Sequence, residues 1–158
     1  MHEYTFKDTG VAVHIRKVSP LLLLRLREDF PPPRPPMQEV DYGDGKKKME
    51  PNPAHPNYQE AQDTYNVEME KRLRRLLIRR GVKLDWTPEM KAEVVEVREL
   101  YLSETGREME EDDHVVFVSY VAVGTDKDLE ELLEVIMRRS APTEAAAAEA
   151  QERFKSPV

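Results

Sequence analysis

A chain of 158 residues, 39% hydrophobic and 35% charged, can bury one lean core and suits helices with a single apolar face. The absence of cysteine excludes disulfides, a thiolate nucleophile and cysteine-ligated zinc, and agrees with a reducing, cytosolic setting. The net charge of −7 is divided unevenly: residues 1–80 carry 15 basic and 12 acidic side chains (+3), residues 81–158 carry 9 and 19 (−10). Such asymmetry can pair the two halves, or pair one of them with a partner of opposite sign.

The opening residues lack the basic start and apolar run of a signal peptide. The run Leu21–Leu24 is cut at once by Arg25, far short of the roughly 18 apolar residues that a membrane span needs. The expectation is a soluble protein.

In chain order, Tyr4 to Val18 reads as a β-hairpin. Val11, Val13 and Ile15 alternate with Ala12, His14 and Arg16, and Lys7 to Gly10 supplies the turn. Ser19 and Pro20 suit the start of a helix through Phe30, because serine caps free N–H groups and proline is tolerated in the first turn. The prolines at 31, 32, 33, 35 and 36 stop it.

Eight of the twelve prolines fall between Pro31 and Pro56, around Gly43, Asp44 and Gly45 and the lysines 46–48. That composition predicts two extended segments about a turn, forming an unpacked arm that serves as a contact segment.

Tyr58 to Arg80 is the clearest helix. Tyr58, Ala61, Tyr65, Met69, Leu73, Leu76 and Leu77 recur at three- and four-residue spacing, and Gly81 is placed to end it. A further helix runs from Pro88 to about Glu104, between Thr87 as cap and Gly106. Val115 to Val123 has strand propensity, yet Asp112 and Asp113 ahead of it and Gly124 behind favour a buried helix. Thr125 and Asp128 have capping-box spacing and open a helix to about Arg139, with Leu129, Leu132, Leu133 and Ile136 on one face. Past Pro142 the composition predicts an alanine-rich, mobile helical tail.

Catalytic motifs are not recognisable. Gly43 to Lys47 lacks the spacing and the hydroxyl residue of a phosphate loop. Asp41 and Asp44 lack the alternating carboxylates of a calcium loop. His2, His14, His55 and His114 have no ligand spacing, and neither Ser19 nor Ser119 has a local nucleophile signature. Glu108 to Asp113 reads as a solvated helix start. Lys71, Arg72, Arg74, Arg75, Arg79 and Arg80 form one basic patch that would attract phosphates, opposed by the net negative charge and by the lack of a nearby aromatic platform. The expectation is a non-enzyme without cofactor or metal.

Lys17 to Leu22 (Lys-Val-Ser-Pro-Leu-Leu), the prolines 31–36, Val40 to Gly45, Glu50 to Tyr58 and Leu77 to Val82 together resemble the tail assembly chaperones of long-tailed bacteriophages. The likeness runs from Lys17 to Val82, about two-fifths of the chain. It implies a helper in the host cytoplasm that binds the tape measure and tail tube proteins during tail assembly. A structural subunit retained in the finished tail is the nearest alternative, and a basic-helix nucleic-acid binder is a third.

The fold expected is mainly α, with a small N-terminal β-hairpin and a long proline-rich extended arm. Its parts are residues 1–30 (hairpin and first helix), 31–57 (arm), 58–140 (helical core) and 141–158 (tail). Leu73, Leu76, Leu77, Leu129, Leu132, Leu133, Tyr42 and Tyr58 are the candidate partner-binding residues. The leucines among them are read as core or groove, and such apolar stripes serve a core and a self-association surface equally well.

Overall fold

A computed structural model describes residues 2–43 and 45–140. The fold is dominated by helices, with five α-helices and five short strands among the described residues. The expected tail past Pro142 lies outside them. The described residues form two compact units, one from residues 2–23 and 74–140, the other from Leu24–Leu73.

The first unit begins with the predicted hairpin. Strands β1 (His2–Thr5) and β2 (Ala12–Ile15) pair antiparallel, with Tyr4 opposite Val13 and His2 opposite Ile15. Two backbone bonds close the turn, Phe6 N–H to Val11 O and Gly10 N–H to Phe6 O, each at 2.9 Å, and Gly10 takes the positive φ of 72° that the turn needs. The alternation works as read: Val13 and Ile15 are buried while Ala12 is exposed.

The hairpin does not stand alone. A two-residue strand, Val82–Lys83, joins the free edge of β2, with Ile15 opposite Val82. The Arg16 N–H donates to Gly81 O at 2.8 Å and extends this pairing. A two-residue strand has no periodicity to read, so only the long-range partner reveals it.

Helix α1 spans Pro20–Asp29 and α2 spans Pro56–Gly81, the latter ending in this unit. Helix α3 (Pro88–Thr105) has both predicted caps: Thr87 Oγ1 accepts from Met90 N at 3.3 Å, and Gly106 closes the end at φ 70° with its N–H on Leu102 O at 2.8 Å.

Helix α4 (Asp113–Val116) starts at Asp112, whose carboxylate accepts from Val115 N at 2.9 Å, and runs directly into a π-helical segment, Phe117–Ala122. The helical reading of 115–123 therefore holds, in a wider winding than expected. Val115, Val116, Phe117, Val118 and Ala122 are all buried.

Helix α5 (Asp126–Ser140) buries Asp128, Leu132, Ile136 and Ser140, a stripe repeating every four residues. Ser140 ties its end to the sheet side of the core: its hydroxyl donates to Ile136 O at 2.7 Å and accepts from Val18 N–H at 2.8 Å.

Two glycines correct the reading of helix ends. Gly81 is not a left-handed cap, since its φ is not positive; it is a contact point. A Cβ there would lie 2.6 Å from Ile136 Cγ2, so only glycine lets the two meet without a shift. Gly124 likewise presses against the hairpin turn, where an added Cβ would lie 2.6 Å from Asp8 Cβ.

The second unit corrects the unpacked arm. Residues Met37–Asp41 and Lys47–Pro51 are strands β3 and β4 of an antiparallel hairpin, with Glu39 opposite Met49. The structure has a paired ladder where an unpacked extended arm is expected, because proline content hides a ladder whose prolines sit only at its ends. The turn is held by Gly43 N–H on Asp41 Oδ1 at 2.9 Å, with Gly43 at φ 91° and Gly45 at φ 73°. Asn52 N–H donates to Pro36 O at 2.8 Å beyond the strand ends. Also in this unit, Phe30 stacks on Tyr65 with centroids 5.0 Å apart. Arg72 lies 4.2 Å over the Phe30 ring, and Tyr65 Oη donates to Phe30 O at 2.9 Å.

Candidate partner-binding surfaces

Burial separates the eight candidate residues. Leu77 and Leu132 are 2% and 0% exposed, so they belong to the core and no partner reaches them in the folded state. An apolar stripe does not by itself say whether its cover is the chain itself or another protein. Leu73, Leu76, Leu129, Leu133 and Tyr58 are half-buried, and Tyr42 is exposed at the tip of the second-unit hairpin.

Exposed leucines lie elsewhere, the most exposed of them, Leu21, on α1. Helix α1 contains Leu21, Leu22, Leu23, Leu24 and Leu26, and not one of its residues is buried. Leu21 is 74% exposed, Leu22 38% and Leu24 44%. Four consecutive leucines point around the whole circumference of a helix at about 100° per residue. A ten-residue helix on a small protein cannot cover all of those directions. That run was visible in the sequence, and it is the signal that an α1 surface needed.

In the first unit, α3 exposes Val95, Leu100, Tyr101 and Leu102. Val95 lies beside Trp86 in an open cleft of about 630 Å³ that also takes in Lys91, Arg98, Asp112, Asp113 and His114. The polar wall of this cleft is already committed. Arg98 donates to Asp113 Oδ1 at 2.8 and 3.1 Å, to Glu111 O at 2.7 Å and to Met109 O at 3.1 Å, so one guanidinium ties residues 109–113 to α3. Arg79 Nε meets Asp112 at 2.6 Å, and His114 Nε2 lies 3.1 Å from Ile78 O. Trp86 packs edge-on to Phe117 at 5.7 Å.

In the second unit Met37, Tyr42 and Met49 are exposed on the hairpin. A shallow pocket of about 460 Å³ lies against Phe30, Ala61 and Tyr65.

The basic patch is partly spent within the chain. Lys71 pairs with Glu68 at 3.6 Å, Arg72 covers Phe30 and Arg79 binds Asp112. Among the described residues no group of three or more His, Asp or Glu side chains has an arrangement to hold a metal ion, and no helix is long and apolar enough to cross a membrane. Compared with protein-family models, curated proteins and solved structures, the chain matches none.

Proposed function

We propose that this protein works by reversible, non-catalytic binding to apolar segments of other proteins, as a tail assembly chaperone of a long-tailed bacteriophage. In that role it holds the tape measure protein, and the tail tube subunits that assemble around it, in the host cytoplasm without entering the finished particle. The observation that carries this reading is α1, a leucine-rich helix with no buried residue. Exposed leucines on a helix are the kind of anchors by which a helix engages an apolar groove of a partner. The sequence resemblance adds the identity of the partners, and it begins at Lys17, next to this helix.

The charge division supports orientation of a partner, since complementary potentials fix register more than they raise affinity. The arm between Pro31 and Tyr58 supports a contact role through the exposed Met37, Tyr42 and Met49.

The test is capture of the tagged protein from infected cells before lysis, with co-purifying chains identified by mass spectrometry, comparing the native chain with Leu21→Glu/Leu24→Glu. Tape measure and tube proteins bound to the native chain, lost from the variant, and no copy of the protein in purified virions are the expected results. Abundance in virions would establish a tail subunit instead. Recovery of nucleic acid alone, with affinity falling steeply in salt, would make the protein a basic-helix binder.

A further inference from the structure

The core-facing stripe of α5 contains one residue that does not belong in a core. Asp128 occupies the position that Leu132, Ile136 and Ser140 occupy in later turns and is only 6% exposed. Its Oδ2 has no hydrogen-bond donor. The group its carboxyl meets is another carboxyl, that of Asp8 in the β1–β2 turn.

Three contacts fix this encounter. Gly124 packs against the Asp8 side chain, with an added Cβ falling 3.3 Å from Oδ2 and 2.6 Å from Cβ. Thr9 Oγ1 donates to Ala122 O at 2.6 Å. Lys7 Nζ lies 3.9 Å from Glu131 Oε2. Three successive turn residues thus grip the corner between the π segment and α5.

We propose that this grip is a proton-operated latch: Asp128 holds a proton that bridges it to Asp8, and losing it loosens the β1–β2 turn from the start of α5. Two ionised carboxylates in contact repel, whereas one proton turns the pair into an O–H···O⁻ hydrogen bond. Burial is the largest cause pushing the Asp128 carboxyl above its ordinary range; the Asp8 charge and hydrogen bond and the Glu131 charge push the same way. The Gly124 N–H opposes them. Tyr4 on β1 also faces the pair, its own hydroxyl raised by burial and then by Glu131 and Asp128. Lys7 is the cation on this side, and it is directed at Glu131.

A carboxyl whose pKa is higher in the folded than in the unfolded chain costs nothing below the unfolded value. Its penalty grows as pH rises through the raised value and persists above it. The latch is therefore closed below that raised value and strained above it.

The test is the melting temperature of the full chain at about pH 4 and about pH 8, for the wild type, Asp8→Asn and the charge-matched control Glu130→Gln. Asparagine supplies a permanent donor in place of the bridging proton. The wild type should melt lower at the higher pH. Asp8→Asn should lose most of that difference by rising at the higher pH, while Glu130→Gln keeps it. Equal pH dependence in all three proteins would overturn the latch. If millimolar calcium at the higher pH restores the wild type but not Asp8→Asn, the pair holds a metal cation and the proton assignment fails. Hydrogen exchange of the Thr9 and Val11 amides gives a second readout: faster exchange at the higher pH, beyond the intrinsic rate, in the wild type only.

Discussion

The two compact units solve the problem of folding in different ways. All the buried hydrophobic side chains among the described residues, from Phe6 and Val13 to Leu132 and Ile136, belong to the first unit. Leu24–Leu73 has none; it relies on a hairpin ladder, turn glycines and the Phe30–Tyr65–Arg72 stack. Backbone order alone offers little net stability once its entropy cost is counted. The first unit is thus the folded anchor, and the second is a surface whose apolar residues stay accessible. For the binding role proposed above this is a useful division, because affinity surfaces and core need opposite exposure of the same residue types.

Substitutions sharpen this contrast in descending order. Ile136→Ala removes a fully buried side chain that also packs on Gly81 and should cost about 2–5 kcal/mol, read as a lower denaturant midpoint of the first unit. Gly81→Ala forces the same contact from the other side and should cost about 1–3 kcal/mol. Tyr65→Phe leaves Phe30 O without its donor and should cost about 1 kcal/mol, expressed as faster amide exchange confined to the second unit. Met49→Ser, at an exposed strand position, should change stability by less than about 0.5 kcal/mol. If Met49→Ser instead destabilises the isolated monomer by more than Tyr65→Phe, the second unit has a core of its own and the contrast breaks.

What could be read from the sequence was local. The caps at Thr87, Gly106 and Asp112 and the hairpin at Lys7–Gly10 act over a few residues, and each is where its residue types placed it. What could not be read depends on distant partners. Val82–Lys83 is a strand only because β2 offers an edge 67 residues earlier, at Ile15. Gly81 and Gly124 resembled caps, yet each is required by a side chain elsewhere, Ile136 and Asp8. The candidate surface suffered similarly. Periodicity found the stripes of α2 and α5 without separating core from groove; burial assigns Leu77 and Leu132 to the interior, while leucines of α1 and α3 that the stripes do not include are exposed.

The π segment has a consequence for how this sequence can change. In Phe117–Ala122 the backbone bonds skip one residue more than in an α-helix, as in Val123 N–H to Val118 O. The extra residue is absorbed as added width, so the segment holds slack that an ordinary helix lacks. Deleting one residue here, for instance the exposed Tyr120, would tighten the coil to α while leaving the buried stripe of α5 in phase. The same deletion inside α5 would rotate every later side chain by about 100°. Length variation among descendants of this gene should accordingly be tolerated at the π segment and purged from α5, which a single-residue deletion scan across 113–140 would reveal directly.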